Sequence, residues 1–168
     1  MKKAFFGLAF AGAMIASMGV QAQAPEYAAE PEIELNHFLM ALSVEDIEAV
    51  TAFYVDVLDF EVVKDAPLGP AMHFRWLRNG TQGLELVQVA DSVPGPERGP
   101  PPAHLSVRGP GQLMMQVEDL EATKEILLSK GVTPSVDITD LTAMLGIKVM
   151  FVTDPEGNNI ELVEVAEE

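Results

Sequence analysis

Apolar positions along this chain recur with two different spacings, and the order in which those spacings alternate is given twice. From Ile33 to Val44 apolar residues and β-formers predominate, which predicts a strand, and Asp46 then stands where an N-cap opens a helix. Ala49, Phe53, Val57 and Leu58 repeat at helical spacing, so a helix is predicted to run to about Leu58 and to bury that face. Phe60 to Val63 predicts a second strand. Met72 to Leu77 and Leu84 to Val89 flank Asn79-Gly80, a pair that tolerates positive φ and predicts a hairpin. The unit is β-α-β-β-β.

The same order follows again: strand Gln112 to Val117, helix Leu120 to Leu128 stopped by Lys130-Gly131, strand Thr133 to Val136, an irregular connection Asp137 to Leu145, and strands Ile147 to Val152 and Asn159 to Val165 around the turn Asp154 to Asn158. Residues repeat as well as elements. Val44-Glu45-Asp46-Ile47-Glu48-Ala49 returns 73 positions later as Val117-Glu118-Asp119-Leu120-Glu121-Ala122, and Leu84-Glu85-Leu86-Val87-Gln88-Val89 returns 76 positions later as Ile160-Glu161-Leu162-Val163-Glu164-Val165. One unit has been duplicated, which predicts an α+β fold of two paired modules, residues 35–92 and 111–166, in one domain spanning 35–166.

Between the modules, residues 93–110 and the following glycine carry six prolines together with Gly95, Gly99, Gly109 and Gly111. Such a stretch is either a stiff spacer or a flap over the site, and its proline content favours the spacer. As a flap it would bring Arg98, His104 and Arg108 toward an anionic ligand.

The amino end changes the setting. Met1-Lys2-Lys3, an apolar run to Val20 and the small residues up to Ala24 have the three regions of a secretory signal, with cleavage expected after Ala22. A membrane anchor is the competing reading, but the run is short and weakly apolar for a span. The expectation is therefore a signal peptide at 1–22, a solvated leader at 23–34 and a periplasmic or secreted protein, with no membrane association after cleavage. Loss of Lys2 and Lys3 takes the formal charge from −16 to −18. A surface so acidic repels phosphate backbones and anionic lipid, which excludes nucleic acid as a partner. The absence of cysteine removes disulfides and thiolate metal ligands.

Candidate chemistry begins with the acidic position shared by the two copies. Glu85 and Glu161 fall on strands apolar on both faces, where a carboxylate must pair, bind metal or rise in pKa, although a Glu at the sheet rim facing water or Arg75 is the plainer alternative. Arg75 and His73 alternate with Phe74 and Trp76 along the facing strand. An even hairpin loop sets Phe74 and Trp76 on the side of Glu85; an odd one sets Arg75 there. Phe74, Trp76, Arg75 and Leu39 are thus the candidate ligand contacts, and Glu85 and Glu161 the candidate catalytic groups.

Phe53-Tyr54 after Asp46, the run Val57-Leu58-Asp59-Phe60-Glu61-Val62-Val63 and the terminal Asp154-Pro155-Glu156-Gly157-Asn158-Asn159-Ile160-Glu161-Leu162 resemble the vicinal oxygen chelate superfamily. That group includes glyoxalase I, bleomycin-resistance proteins, extradiol dioxygenases and methylmalonyl-CoA epimerase. The resemblance covers about His37 to Glu164. It implies two tandem βαβββ modules forming a curved mixed sheet around a cleft, assembly as homodimers in many members, and in metal-dependent members ligands from the first and fourth strands of each module. Carried over by position, those are Leu39, Glu85, Gln112 and Glu161. Leu39 has no donor atom, so a divalent ion would be left with Glu85, Gln112, Glu161 and water; His37 reaches that place only through a bulge, being displaced by about 6.6 Å of strand. An extradiol iron site would need two His and a carboxylate, of which Glu161 alone is in place.

Three functions follow. The first is a protein that holds a small oxygenated or aromatic molecule between the modules, with metal-assisted lyase or isomerase chemistry at Glu161 or Glu85. The second is a metal-free module that sequesters such a molecule, which Leu39 favours. The third is a scaffold whose site has been lost.

Overall fold

In the computed structural model, the residues described run from Phe38 to Ala166. The expected signal, the leader and His37 lie outside them. Within them no helix is long and apolar enough to cross a membrane. The elements are β1 (Leu39–Val44), α1 (Ile47–Asp56), β2 (Glu61–Pro67), β3 (Met72–Asn79) and β4 (Gln82–Val89), then β5 (Leu113–Gln116), α2 (Leu120–Ser129), β6 (Val136–Asp140), α3 (Thr142–Leu145), β7 (Ile147–Thr153) and β8 (Asn159–Val165).

The fold is α+β, and the duplication is visible in its topology. The strands form two four-stranded mixed sheets ordered β1-β4-β3-β2 and β5-β8-β7-β6, each with one parallel pair. Repeated residues do repeated work. Asp46 and Asp119 cap α1 and α2 with their carboxylates, accepting from Ala49 N and Ala122 N. Gln88 and Glu164, equivalent positions of β4 and β8, each accept from the first backbone N–H of their module's helix, at Ile47 and Leu120.

Three local expectations are corrected. The buried stripe of α1 is Ile47, Val50, Thr51 and Tyr54; of the expected face, Phe53, Val57 and Leu58 pack half-buried against the same core and Ala49 is exposed, while the Tyr54 ring packs edge-on to Phe53 and Phe60 and its hydroxyl donates to Asp154. The β3–β4 turn is centred one residue later, on Gly80-Thr81, since Asn79 pairs with Gln82 and its amide donates to Leu58 O. Strand β6 starts at Val136, where Thr133 to Val136 was expected, and α3 occupies the end of the irregular connection.

One apolar core serves both modules. Ile47, Tyr54, Leu77 and Leu86 from the first pack in the same cluster as Leu120, Leu127, Met150 and Leu162 from the second. The Asp154–Asn158 turn ties the halves further: Asp154 accepts from Tyr54, and Glu156 Oε1 accepts from Glu45 N and Asp46 N at 2.7 and 2.9 Å. Lys130 closes the opposite end on Val57 O and Asp59.

Candidate functional site

Cross-strand register fixes what each carboxylate meets. In the first module Ala41, Glu85, Trp76 and Lys64 stand directly opposite one another across β1, β4, β3 and β2. The equivalent row of the second module is Met114, Glu161, Phe151 and Val136. Directly opposed residues share a face, so the two rows occupy the sheet faces turned away from α1 and α2.

On the first row the even, two-residue hairpin loop puts Phe74 and Trp76 on the side of Glu85. Trp76 Nε1 donates to Glu85 Oε1 at 2.8 Å, and Lys64 Nζ stands 4.3 Å from the indole centroid. Leu39 lies on the same face, seated on Gly83, where an added Cβ would come within 2.7 Å of its Cγ. Trp76 and Leu39 are exposed. This face is open.

Arg75, expected as a ligand contact in the odd-loop case, lies on the other face. It is buried, and its guanidinium donates to both oxygens of Glu48 at 2.9 and 3.0 Å, to Asp65 at 2.9 Å and to Thr51 Oγ1. The bonded guanidinium holds the carboxyls of Glu48 and Asp65 below their ordinary range. Loop parity decided this, and Arg75 joins α1 to the sheet instead of meeting a ligand.

The second row is covered at Phe151, while Met114 at its end is exposed. Phe151 has no N–H to offer Glu161, whose Oε2 accepts instead from Gln112 Nε2, while Gln112 Oε1 accepts from His104 Nε2. Turned the other way, the Gln112 amide would set its oxygen against the carboxylate. The bond therefore places the His104 proton on Nε2, and its Nδ1 is buried without a partner among the described residues. Burial pushes the Glu161 carboxyl up, opposed by His104.

His104 comes from the proline-rich connection, which is no spacer. Its residues Ala103–Ser106 form a short 3-10 turn over the second sheet, with the fully buried His104 ring edge-on to Phe151 at 5.9 Å. Arg98 Nη1 fastens the segment by donating to His104 O and Val107 O at 3.1 and 2.7 Å. As a flap residue His104 was expected to meet an anionic ligand; nothing in its local sequence pattern tells that it is buried instead.

Glu161 and Gln112 are together, but Gln112 shows Glu161 an amide nitrogen, which has no lone pair for a cation, and its oxygen is taken by His104. Glu85 is held by Trp76 on the other module, and Leu39 cannot coordinate. Among the described residues no three His, Asp or Glu side chains come together as ion ligands. These donors do not fit a resident divalent ion as they are placed.

Between the modules, a cavity of about 210 Å³ is bounded by β1, the end of the connection, the start of β5 and the Gly157–Asn159 segment. It borders Gln112.

Residues 34–162 match the model of the glyoxalase/bleomycin resistance protein/dioxygenase superfamily. Among solved structures, the protein SMU.1112c is 28% identical over 79% of this chain and 100% of its own, with a TM-score of 0.63. A glyoxalase family protein from Enterococcus faecalis is 28% identical over 78% of this chain and 97% of its own, TM-score 0.58. TnmS3, an antibiotic binding protein from Streptomyces sp. CB03234, is 23% identical over 82% of this chain and 100% of its own, TM-score 0.58. No protein of curated function matches the chain.

Proposed function

Starting from the fact that the chain belongs to the glyoxalase/bleomycin resistance protein/dioxygenase superfamily, we propose that it binds a small, flat, oxygenated or aromatic molecule without a metal. The first module's open face receives it. The observation that carries this reading is the contrast between the two equivalent rows: Glu161 is engaged beneath the connection, whereas Lys64, Trp76 and Glu85 form a cation–indole–carboxylate row that no described residue of the connection lies over, beside Phe74 and Leu39. An exposed cation–π contact is worth only about 0.5–1 kcal/mol. Lys64 can therefore swing off the ring to meet a ligand oxygen while the ligand stacks on the indole. TnmS3, by its description an antibiotic binder, is a relative by fold that accords with a binding role.

The test is direct, because Trp76 is the sole tryptophan of the chain. Titrating the mature protein with catechol in the presence of a chelator should quench its emission saturably, and Trp76→Leu should weaken binding at least tenfold by calorimetry, about 1.4 kcal/mol. Emission that does not change, or that changes only when a divalent ion is added, would remove the reading.

The raised carboxyl of Glu161 favours a second reading, proton transfer beside a carbonyl. In that case the protein isomerises hemithioacetals or exchanges hydrogen next to a 2-oxo group, and Glu161→Gln abolishes it. Either function is proposed for an exported protein; a mature mass beginning at Gln23 would support export, and one beginning at Met1 would count against it.

A further inference from the structure

We infer that the cavity between β1 and the second module is a binding site for a small carboxylate, with Arg98 as its counter-ion and Asn159 as its hydrogen-bonding partner. This does not rest on the reading of the open aromatic face.

Charge is the first support. The chain carries 26 Asp and Glu residues, yet none lines this cavity, and Arg98 is the cation that does. Arg75, Arg78, Lys124, Lys130 and Lys148 are each paired with a carboxylate, but Arg98 has no such partner among the described residues. A guanidinium has five N–H donors. Two of Arg98's point to His104 O and Val107 O from Nη1, which leaves both donors of Nη2 and that of Nε without a protein acceptor among the described residues. Arg98 is also half-buried, where an unpaired charge is costly and an anion regains most for it.

Asn159 is the second, independent support. Five polar side chains are buried among the described residues: Thr51, Arg75, His104, Asp154 and Asn159. The first four have hydrogen-bond partners on the protein. The side chain of Asn159, 8% exposed and lining the cavity, has none among the described residues. Among the described residues His104 Nδ1 is the closed-off side-chain atom without a partner, so the Asn159 amide keeps contact with solvent at the cavity, where a ligand can supply the hydrogen bonds the protein does not. Its NH2 can donate to a carboxylate oxygen that also accepts from Arg98, and its carbonyl can accept from a hydroxyl on the ligand. The exposed hydroxyl of Ser43 stands in the same wall.

Size sets the class. About 210 Å³ lies below the roughly 300–1,000 Å³ of sites for drug-sized ligands. A short aliphatic acid or hydroxy acid fits, and a folded partner does not.

The experiment is a titration of the full mature protein with acetate and, separately, with its neutral isostere acetamide, followed by the side-chain amide of Asn159 and the Nε–H of Arg98 in 15N spectra. Acetate should shift both signals saturably; acetamide should not. Asn159→Ala, which removes no protein hydrogen bond, should weaken acetate binding at least tenfold with the backbone spectrum otherwise kept. Arg98→Gln should abolish it, and because Arg98 also fastens the connection, Arg98→Lys serves beside it: charge retained, with weaker but measurable binding. Equal shifts from acetamide, shifts that never saturate, or an Asn159→Ala variant that binds acetate as well as the parent would each overturn the assignment. Quenching of Trp76 by catechol is read in the same samples, so failure here and failure of the open-face reading are separable.

Discussion

Glu85 and Glu161 occupy the same place in two copies of one unit, and a single neighbour gives them different fates. Trp76 supplies an indole N–H to Glu85, whereas Phe151 supplies nothing and Glu161 turns to Gln112. The consequence for Glu161 is a pKa above its ordinary value, since burial disfavours the charged form. A carboxyl raised in the folded state costs stability once pH exceeds its unfolded value, and the cost is fully developed above the raised one. Glu161→Gln is accordingly expected to raise the melting temperature at neutral pH and to lose that advantage below about pH 4, near the unfolded carboxyl value. Thermal melts of the two proteins across this range check it; an advantage that persists in acid would point to packing rather than charge.

Elements are joined to one another by polar groups whose roles their own segments do not disclose. Arg75 on β3 binds Glu48 on α1 and Asp65 on β2, and it depresses both carboxyls. Depressed values contribute stability that is present above the ordinary carboxyl range and lost as pH falls through the folded values. Because Glu48 and Asp65 are exposed, solvent screening keeps the effect modest. Arg75→Met should therefore flatten the acid limb of the melting-temperature profile, besides lowering stability at neutral pH by removing the donor that joins Thr51 and Glu48 of α1 to the sheet. The N-cap of α1 offers a second measurement. Asp46→Ala removes the acceptor for Glu48 N and Ala49 N and should cost about 1 kcal/mol in urea denaturation.

For the whole molecule, the shared core is decisive. Leu86 and Leu162 are equivalent residues of β4 and β8 and both belong to one apolar cluster, so neither module completes its core alone. Unfolding should be a single transition: the urea midpoint read from Trp76 emission, in the first module, should coincide with that from far-ultraviolet circular dichroism, which reads both. Leu86→Ala should lower stability by about 2–5 kcal/mol and move both midpoints together. Separated midpoints would show that the modules are held by polar ties such as Tyr54–Asp154, Glu156 and Lys130 rather than by a shared core.

What depends on near neighbours and on repetition is legible along the chain. Periodicity, the Asp46 cap, the Gly131 stop and the twofold recurrence of Val-Glu-Asp and of the terminal strand prescribe two βαβββ units, because helix and strand spacings are local properties of the chain. It left Arg75 and Trp76 as alternatives, since turn parity is a one-residue matter that flips every side chain to the other face. The α1 face expected from spacing does pack on the core through Phe53, Val57 and Leu58, but Tyr54, whose partner Asp154 is 100 residues away, is buried more deeply. The folding-back of the proline-rich connection, the burial of His104 against Phe151 and Gln112, and the meeting of Arg98 and Asn159 at one cavity arise from long-range packing. Those facts depend on which distant surfaces exclude water together, and no spacing along the chain encodes that.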